Sequence, residues 1–180
     1  SATAYINARL IDPASGLDAP GALLSKDGRI VDLGTDLFPG RLGDDVPDGT
    51  AVVDCAGRVL CPGLIDMRVF VGEPGAEHKE TLASASEAAA AGGGTCIIVQ
   101  PNTEPVIDDV ALVEYIKRQA RDKACVRIHP MAAITRGLLG EQMAELGLLA
   151  EADAVAFTDA DRAVDNAQVM RRVLSYASAF

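Results

Sequence analysis

Between Thr95 and Pro101 the chain reads TCIIVQP, a short run whose centre is apolar at every position, flanked on both sides by helix-forming segments. A strand that is apolar on both faces must be covered on both. That is the condition of a parallel sheet clothed by helices, and few other arrangements meet it. The same rhythm holds from Gly63 onward. GLIDMRVFV predicts a strand, HKETLASASEAAAAGG a helix closed by glycines, DDVALVEYIKRQARDK a helix, and ACVRIHPMAA a strand. GEQMAELGLLAEA predicts a short helix, AVAFTD a strand, and NAQVMRRVLSYASAF a last helix. Repeated βα units mean either a barrel or a doubly wound sheet. About four units fit, whereas a complete (β/α)8 barrel takes ~250 residues. The pattern therefore predicts an α/β chain, and if residues 62–180 form a barrel they hold about half of one. A terminal Phe180 on an uncapped apolar helix adds the expectation that the sequence is part of a longer protein.

Residues 1–61 have a different grammar. AYINARLID, GALLSKDGRIVDLG and TAVVDCAGRVLCPG alternate apolar and polar positions, and Asp27-Gly28 and Ala56-Gly57 carry hairpin turn chemistry. A small antiparallel β module is expected here, with FPGRLGDDVPDG as a polar surface loop. The 49% apolar content is enough for a real core. A net charge of −10 with no cluster of Lys and Arg argues against nucleic acid as a partner. No stretch approaches the ~20 apolar residues of a membrane span, and the N-terminus lacks a basic segment followed by an apolar run. A soluble cytoplasmic protein is the resulting expectation. The four cysteines, Cys55, Cys61, Cys96 and Cys125, form no CxxC pair and read as buried reduced thiols. Only two histidines, His78 and His129, are present, which bears on any metal hypothesis.

The segments VLCPGLIDMRVFVGEPGAEHKETLASASEAAAAGGGTCIIVQPNTEPVIDD and MAAITRGLLGEQMAELGLLAEADAVAFTD together resemble the dihydroorotase branch of the amidohydrolase superfamily. The likeness runs through the whole chain and is carried by PGLID, EPG, AAAAGG and PNT in this order. It implies a β-sandwich, built from N- and C-terminal segments, beside a metal-dependent (β/α)8 barrel. In active members of such a family the first barrel strand ends in Asp-x-His-x-His, and two imidazoles hold a zinc ion. Zinc lowers the pKa of bound water and polarises the ring carbonyl under attack.

Here Asp66 matches the aspartate, but Arg68 and Phe70 stand where the histidines would be. Phe70 has no donor atom, and Arg68 is a permanent cation. Arg68 is expected to occupy the vacated volume. The resemblance also implies a substrate-gripping arginine where this chain has Gly72. Its TDDG-like run, source of the metal-bridging aspartate, here reads TDADR: Asp159 matches the first aspartate and Ala160 replaces the second. Asn102, in PNT, matches a substrate contact, with a turn-shaping role the other reading of the same residue. Asp159 reads as a remnant ligand or a loop cap, His78 as a solvated residue at a helix start, and His129 as a hydrogen-bonded core histidine. Three classes follow. The first is a silent homologue without cofactor, resembling metal-site-deficient dihydroorotase-like chains that assemble with aspartate carbamoyltransferase in a homo- or hetero-oligomer. The second is a working zinc-dependent cyclic amidohydrolase acting on dihydroorotate, hydantoin or allantoin. The third is a module that binds a pyrimidine-like acid without turning it over.

Overall fold

The computed structural model describes residues 1–39 and 45–179. The loop expected over 38–49 and the terminal Phe180 therefore lie partly or wholly outside the described residues. The chain divides into two compact units, Ser1–Pro62 and Gly63–Phe180.

The first unit is one sheet. Its centre is β1 (Ala2–Asp12), in which Ala4, Ile6, Ala8 and Leu10 are buried while Asn7 and Arg9 are exposed, the period-2 pattern of a half-covered strand. Antiparallel to it runs β2 (Leu17–Lys26), followed by β3 (Arg29–Gly34). The turn between β2 and β3 uses Asp27 and Gly28 at φ 50° and 76°, both in the left-handed region that a tight hairpin needs.

The expectation for Ala56-Gly57 is corrected. Both residues have positive φ, but β4 (Ala51–Asp54) and β5 (Val59–Leu60) do not pair with each other. Each instead lies parallel to β1, so the module is mixed and not purely antiparallel. The turn is a step in one continuing edge: the Gly57 amide donates to the carbonyl of Asn7 at 2.7 Å, opposite the point where Asn7 itself takes φ 53°. Among the described residues of the unit this is the one sheet, and β4 and all of β3 but Gly34 are exposed.

The second unit carries a parallel sheet of β6 (Leu64–Val69), β7 (Gly94–Val99) and β8 (Arg127–Pro130), in that spatial order. The strand expected at AVAFTD contracts to a single parallel bridge, Ala132 to Phe157. The amide of Ala132 donates to Ala156 and that of Thr158 to Ala132, each at 3.0 Å. Spatial order follows chain order with no reversal, unlike a doubly wound sheet with its switch point.

Between strands lie α1 (Leu82–Ala91), α2 (Val110–Lys123) and a short α3 (Leu146–Glu151), and α4 (Ala167–Ala177) follows the bridge. α1 starts later than HKET suggests because Thr81 caps it, with Thr81 and Ser84 exchanging side-chain to backbone bonds. Asp109 caps α2, which buries Val113, Ile116 and Ala120 on one face and ends in Arg121 and Lys123, cations suited to a helix C-terminus. These faces meet Ile97, Val99 and Ile128 of the sheet and Leu146 and Leu149 of α3 in one core. Full burial of each Leu or Ile contributes about 1.5–3 kcal/mol. Among the described residues no helix is long and apolar enough to cross a membrane.

Candidate site at the C-terminal ends of the parallel strands

In β6 the register slips between Asp66 and Val69, after which Val69 pairs with Val99 and packs on the helix-covered core. Strand alternation then sends its neighbours Arg68 and Phe70 to the opposite face. Val69 is half-buried, and Phe70 beyond it is exposed. The guanidinium of Arg68 reaches across the strand ends, Nη2 lying 3.5 Å from the carbonyl of Ala160. Arg68 is exposed at this strand end. Asp66 is exposed, and its Oδ1 accepts the Arg68 amide at 3.1 Å, a turn made within the strand itself.

Asp159 is 2% exposed and fully engaged. Its Oδ1 accepts the amides of Ile134 and Thr135, both at 2.9 Å, and its Oδ2 accepts the Thr135 hydroxyl in a very short contact. Thr135, wholly buried, accepts in turn from the Gly140 amide at 2.9 Å. The carboxylate therefore ties the loop after β8 to the loop after the Phe157 bridge. Next to it Ala160 sits at φ 57°. Thr135 escapes a reading by pattern, because a lone threonine after an apolar run has none.

Residues 72–81 form a closed turn. A Cβ built on Gly72 would collide with the carbonyl of Ala76, and one on Gly75, at φ 98°, with that of Glu104. The position where the family resemblance expects arginine is thus occupied by backbone. Glu73 lies beneath this turn, 4% exposed. Its Oε2 accepts the Leu82 amide at the N-terminus of α1 at 2.9 Å, where the helix dipole favours an anion. Its Oε1 faces the Tyr115 hydroxyl at 3.4 Å and Lys123 at 3.5 Å. Burial, then the charge of Glu73, pushes the Tyr115 phenol up. Sequence reading missed Glu73, for which the only signal was a carboxylate between apolar strand and proline.

Asn102 sits in the turn after β7, its Oδ1 buried and without a hydrogen-bond donor among the described residues. His78 is exposed before α1, and the half-buried His129 pairs with Ile98 along β8. The cysteine expectation is corrected: all four are free thiols, but only Cys96 is buried, and Cys61 and Cys125 are exposed. Cys125 misleads because β8 begins at Arg127, three residues later than the expected start at Ala124.

Among the described residues no three His, Cys, Asp or Glu side chains converge. Arg68 and Phe70 offer no lone pair to a metal, and the lone pairs of Asp159 face protein donors. This set does not fit a zinc ion.

Residues 57–180 match the family described as Dihydro-orotase-like. The dihydroorotase of Ehrlichia chaffeensis is 46% identical over 175 residues, covering 97% of this chain and 38% of the relative. That of Citrifermentans bemidjiense is 44% identical, covering 94% of this chain and 38% of the relative. The chain thus spans well under half the length of these curated relatives. Among solved structures, L-hydantoinase (dihydropyrimidinase) from Arthrobacter aurescens is similar at TM-score 0.70 and 25% identity, over 86% of this chain and 32% of that one. A D-hydantoinase covers 99% of this chain and 43% of its own at TM-score 0.61 and 21% identity, a likeness of fold. With the family match spanning the whole parallel-sheet unit and the relatives spanning both units, the chain belongs to the dihydroorotase-like family.

Proposed function

We propose that the chain is part of a catalytically silent dihydroorotase homologue of pyrimidine biosynthesis, cytoplasmic, that serves as a structural partner of aspartate carbamoyltransferase. In this reading the sheet of the first unit is one layer of a β-sandwich, and the second unit is the first half of a (β/α)8 barrel. The sequential strand order and the hydantoinase likeness support the barrel.

The observation that carries the silent reading is the pair Arg68 and Phe70 at the mouth of β6, backed by the engagement of Asp159 with Ile134 and Thr135. A residue without a lone pair cannot ligate, and a guanidinium at the same mouth repels a second cation. The competing reading, a working zinc-dependent cyclic amidohydrolase, is favoured by relatives named dihydroorotase at 46–47% identity.

The deciding experiment uses the full-length protein, purified without chelator and supplemented with zinc. Silence predicts no stoichiometric zinc and no dihydroorotate turnover, together with a defined complex with the carbamoyltransferase in sedimentation. One or two zinc ions per chain with turnover sink the silent reading. Absence of a complex sinks the partnership.

A further inference from the structure

We propose that a cavity at the N-terminal end of the parallel sheet, the end away from the mouth, binds a phosphate monoester carried on a small apolar body. The cavity measures about 650 Å³, within the ~300–1,000 Å³ range of small-molecule sites. It lies between α2, the entry to β8 and the segment leading into the Phe157 bridge. On the side of β8 away from β7, the first backbone bond among the described residues runs from the Val155 amide to the Pro130 carbonyl at 3.1 Å. From Arg127 to His129 that edge stands open, and the cavity runs along it.

The lining reverses the charge balance of the chain. Acidic residues outnumber Lys and Arg by 26 to 16 overall, whereas Lys117, Arg121 and Arg127 line the cavity against Asp153 alone, with His129 beside them. Lys117 is spent on structure: Asp153, Glu114 and the Ala152 carbonyl take its ammonium at 2.7, 2.9 and 3.1 Å, which also neutralises the one acid of the lining. Arg121 gives one N–H to Asp122 at 2.9 Å and suits the end of α2. Arg127 and His129 have no such local reason. They stand two apart on β8, and because Ile128 between them is buried in the helix-covered core, alternation puts both on the opposite face. A strand of a parallel sheet is ordinarily apolar on both faces, and β7 carries no charge at all. A guanidinium and an imidazole side by side at an open edge make a receptor for an anion.

The rest of the lining selects the ligand. Arg121, Arg127 and His129 together offer more donors than the two oxygens of one carboxylate engage, and they match the three terminal oxygens of a phosphate monoester. Ala120 and Ile128, both buried, supply an apolar floor. A bare phosphate leaves that floor and most of the volume uncovered, so the phosphate must bring an apolar body with it. This site goes beyond the proposed function: it uses no residue of the mouth and needs neither a metal nor silence there.

The probes are adenosine and uridine 5′-monophosphate, their two nucleosides, and inorganic phosphate. Each is titrated calorimetrically into the full-length protein in metal-free buffer, with thermal melts confirming that the variants fold. At least one nucleotide should bind with millimolar affinity or better, about tenfold or more tighter than its nucleoside and than phosphate, and more weakly as salt rises. Arg127→Gln and His129→Gln should each weaken it, the double variant by about tenfold or more, and Arg127→Lys should fall between Arg127→Gln and the wild type. Arg171→Gln, on α4 and outside the cavity, should leave binding unchanged. No millimolar affinity for either nucleotide overturns the proposal, and so does a double variant that binds like the wild type. A loss in Arg171→Gln or Arg68→Gln as large as in the double variant overturns it too, by making the effect one of overall charge or of the mouth. Zinc content enters none of these outcomes, so the silent reading and this site fail separately.

Discussion

Replacing Asp159 tests whether its carboxylate is a clamp or a ligand. Asp159→Ala leaves the amides of Ile134 and Thr135 and the Thr135 hydroxyl without their acceptor, in a place where Thr135 is 0% and Asp159 2% exposed. A buried donor left unsatisfied costs about 1–3 kcal/mol, and relaxation shares part of that among the three. A loss of about 3–5 kcal/mol is expected, a large fraction of the ~5–15 kcal/mol typical of a folded domain. Asp159→Asn keeps one oxygen for the two amides and strands only the hydroxyl, so about 1–2 kcal/mol is expected. With a urea slope of about 2 kcal/mol/M, the midpoint should fall by about 2 M for alanine and by under about 1 M for asparagine. Urea denaturation followed by circular dichroism, with and without chelator, reads both. Should Asp159→Ala lie within about 1 kcal/mol of wild type, the clamp is wrong. If chelator lowers the wild-type midpoint as far as the alanine substitution does, and leaves that variant unmoved, Asp159 stabilises through a metal instead.

Other outcomes follow from the same geometry. Gly72→Ala should destabilise by about 1–3 kcal/mol, because its Cβ meets the Ala76 carbonyl, whereas Gly34→Ala, which meets nothing, should stay within about 1 kcal/mol; paired thermal melts compare them. Thr81→Ala removes the acceptor that caps α1 and should cost about 1 kcal/mol, with hydrogen exchange accelerated first at the Ser84 amide. Ile116→Ala, fully buried between α2 and the sheet, should cost about 2–5 kcal/mol in urea. Hydrogen bonding to Lys117, then its charge, holds the Asp153 carboxyl below its usual 3.8, and bonding to Asp153 and Glu114 raises the Lys117 ammonium above 10.5. A depressed acid stabilises fully above 3.8 and loses this as pH falls through its folded value. A raised base stabilises below 10.5 and loses it as pH climbs past its folded value. This tether should therefore be flat from about pH 5 to 9, checked by NMR titration of Asp153.

What the sequence made legible was what depends on period and on chain-local chemistry. CIIV lies in β7, whose Ile97 and Val99 are buried against the helices, and Asp109, Asn166 and Thr81 all cap as their residue types predict. Ala56-Gly57 shows the boundary of that kind of inference. Turn chemistry fixes backbone angles, and those angles are present, but the partner strand is chosen by β1, which offers a longer edge than β4 and β5 offer each other. AVAFTD has strand composition yet makes only one bridge, its end drawn into the bonds of Asp159. At the mouth, the missing imidazoles were visible as letters. The orientation of Arg68, the engagement of Asp159 and the backbone filling the place beside Gly72 all depend on contacts between residues 24 to 92 positions apart or on loop closure, and no window of sequence carries those.

The closed turn at Gly72 also limits which changes this strand end tolerates. Changing Arg68 and Phe70 to histidine alters two side chains and leaves the backbone where it is, but any side chain at position 72 must first displace the carbonyls of Ala76 and Glu80. That displacement strains the turn lying over Glu73 and its bonds to α1 and α2. A side chain at position 72 is thus reached only through a less stable turn, which holds this position to glycine whatever stands at 68 and 70.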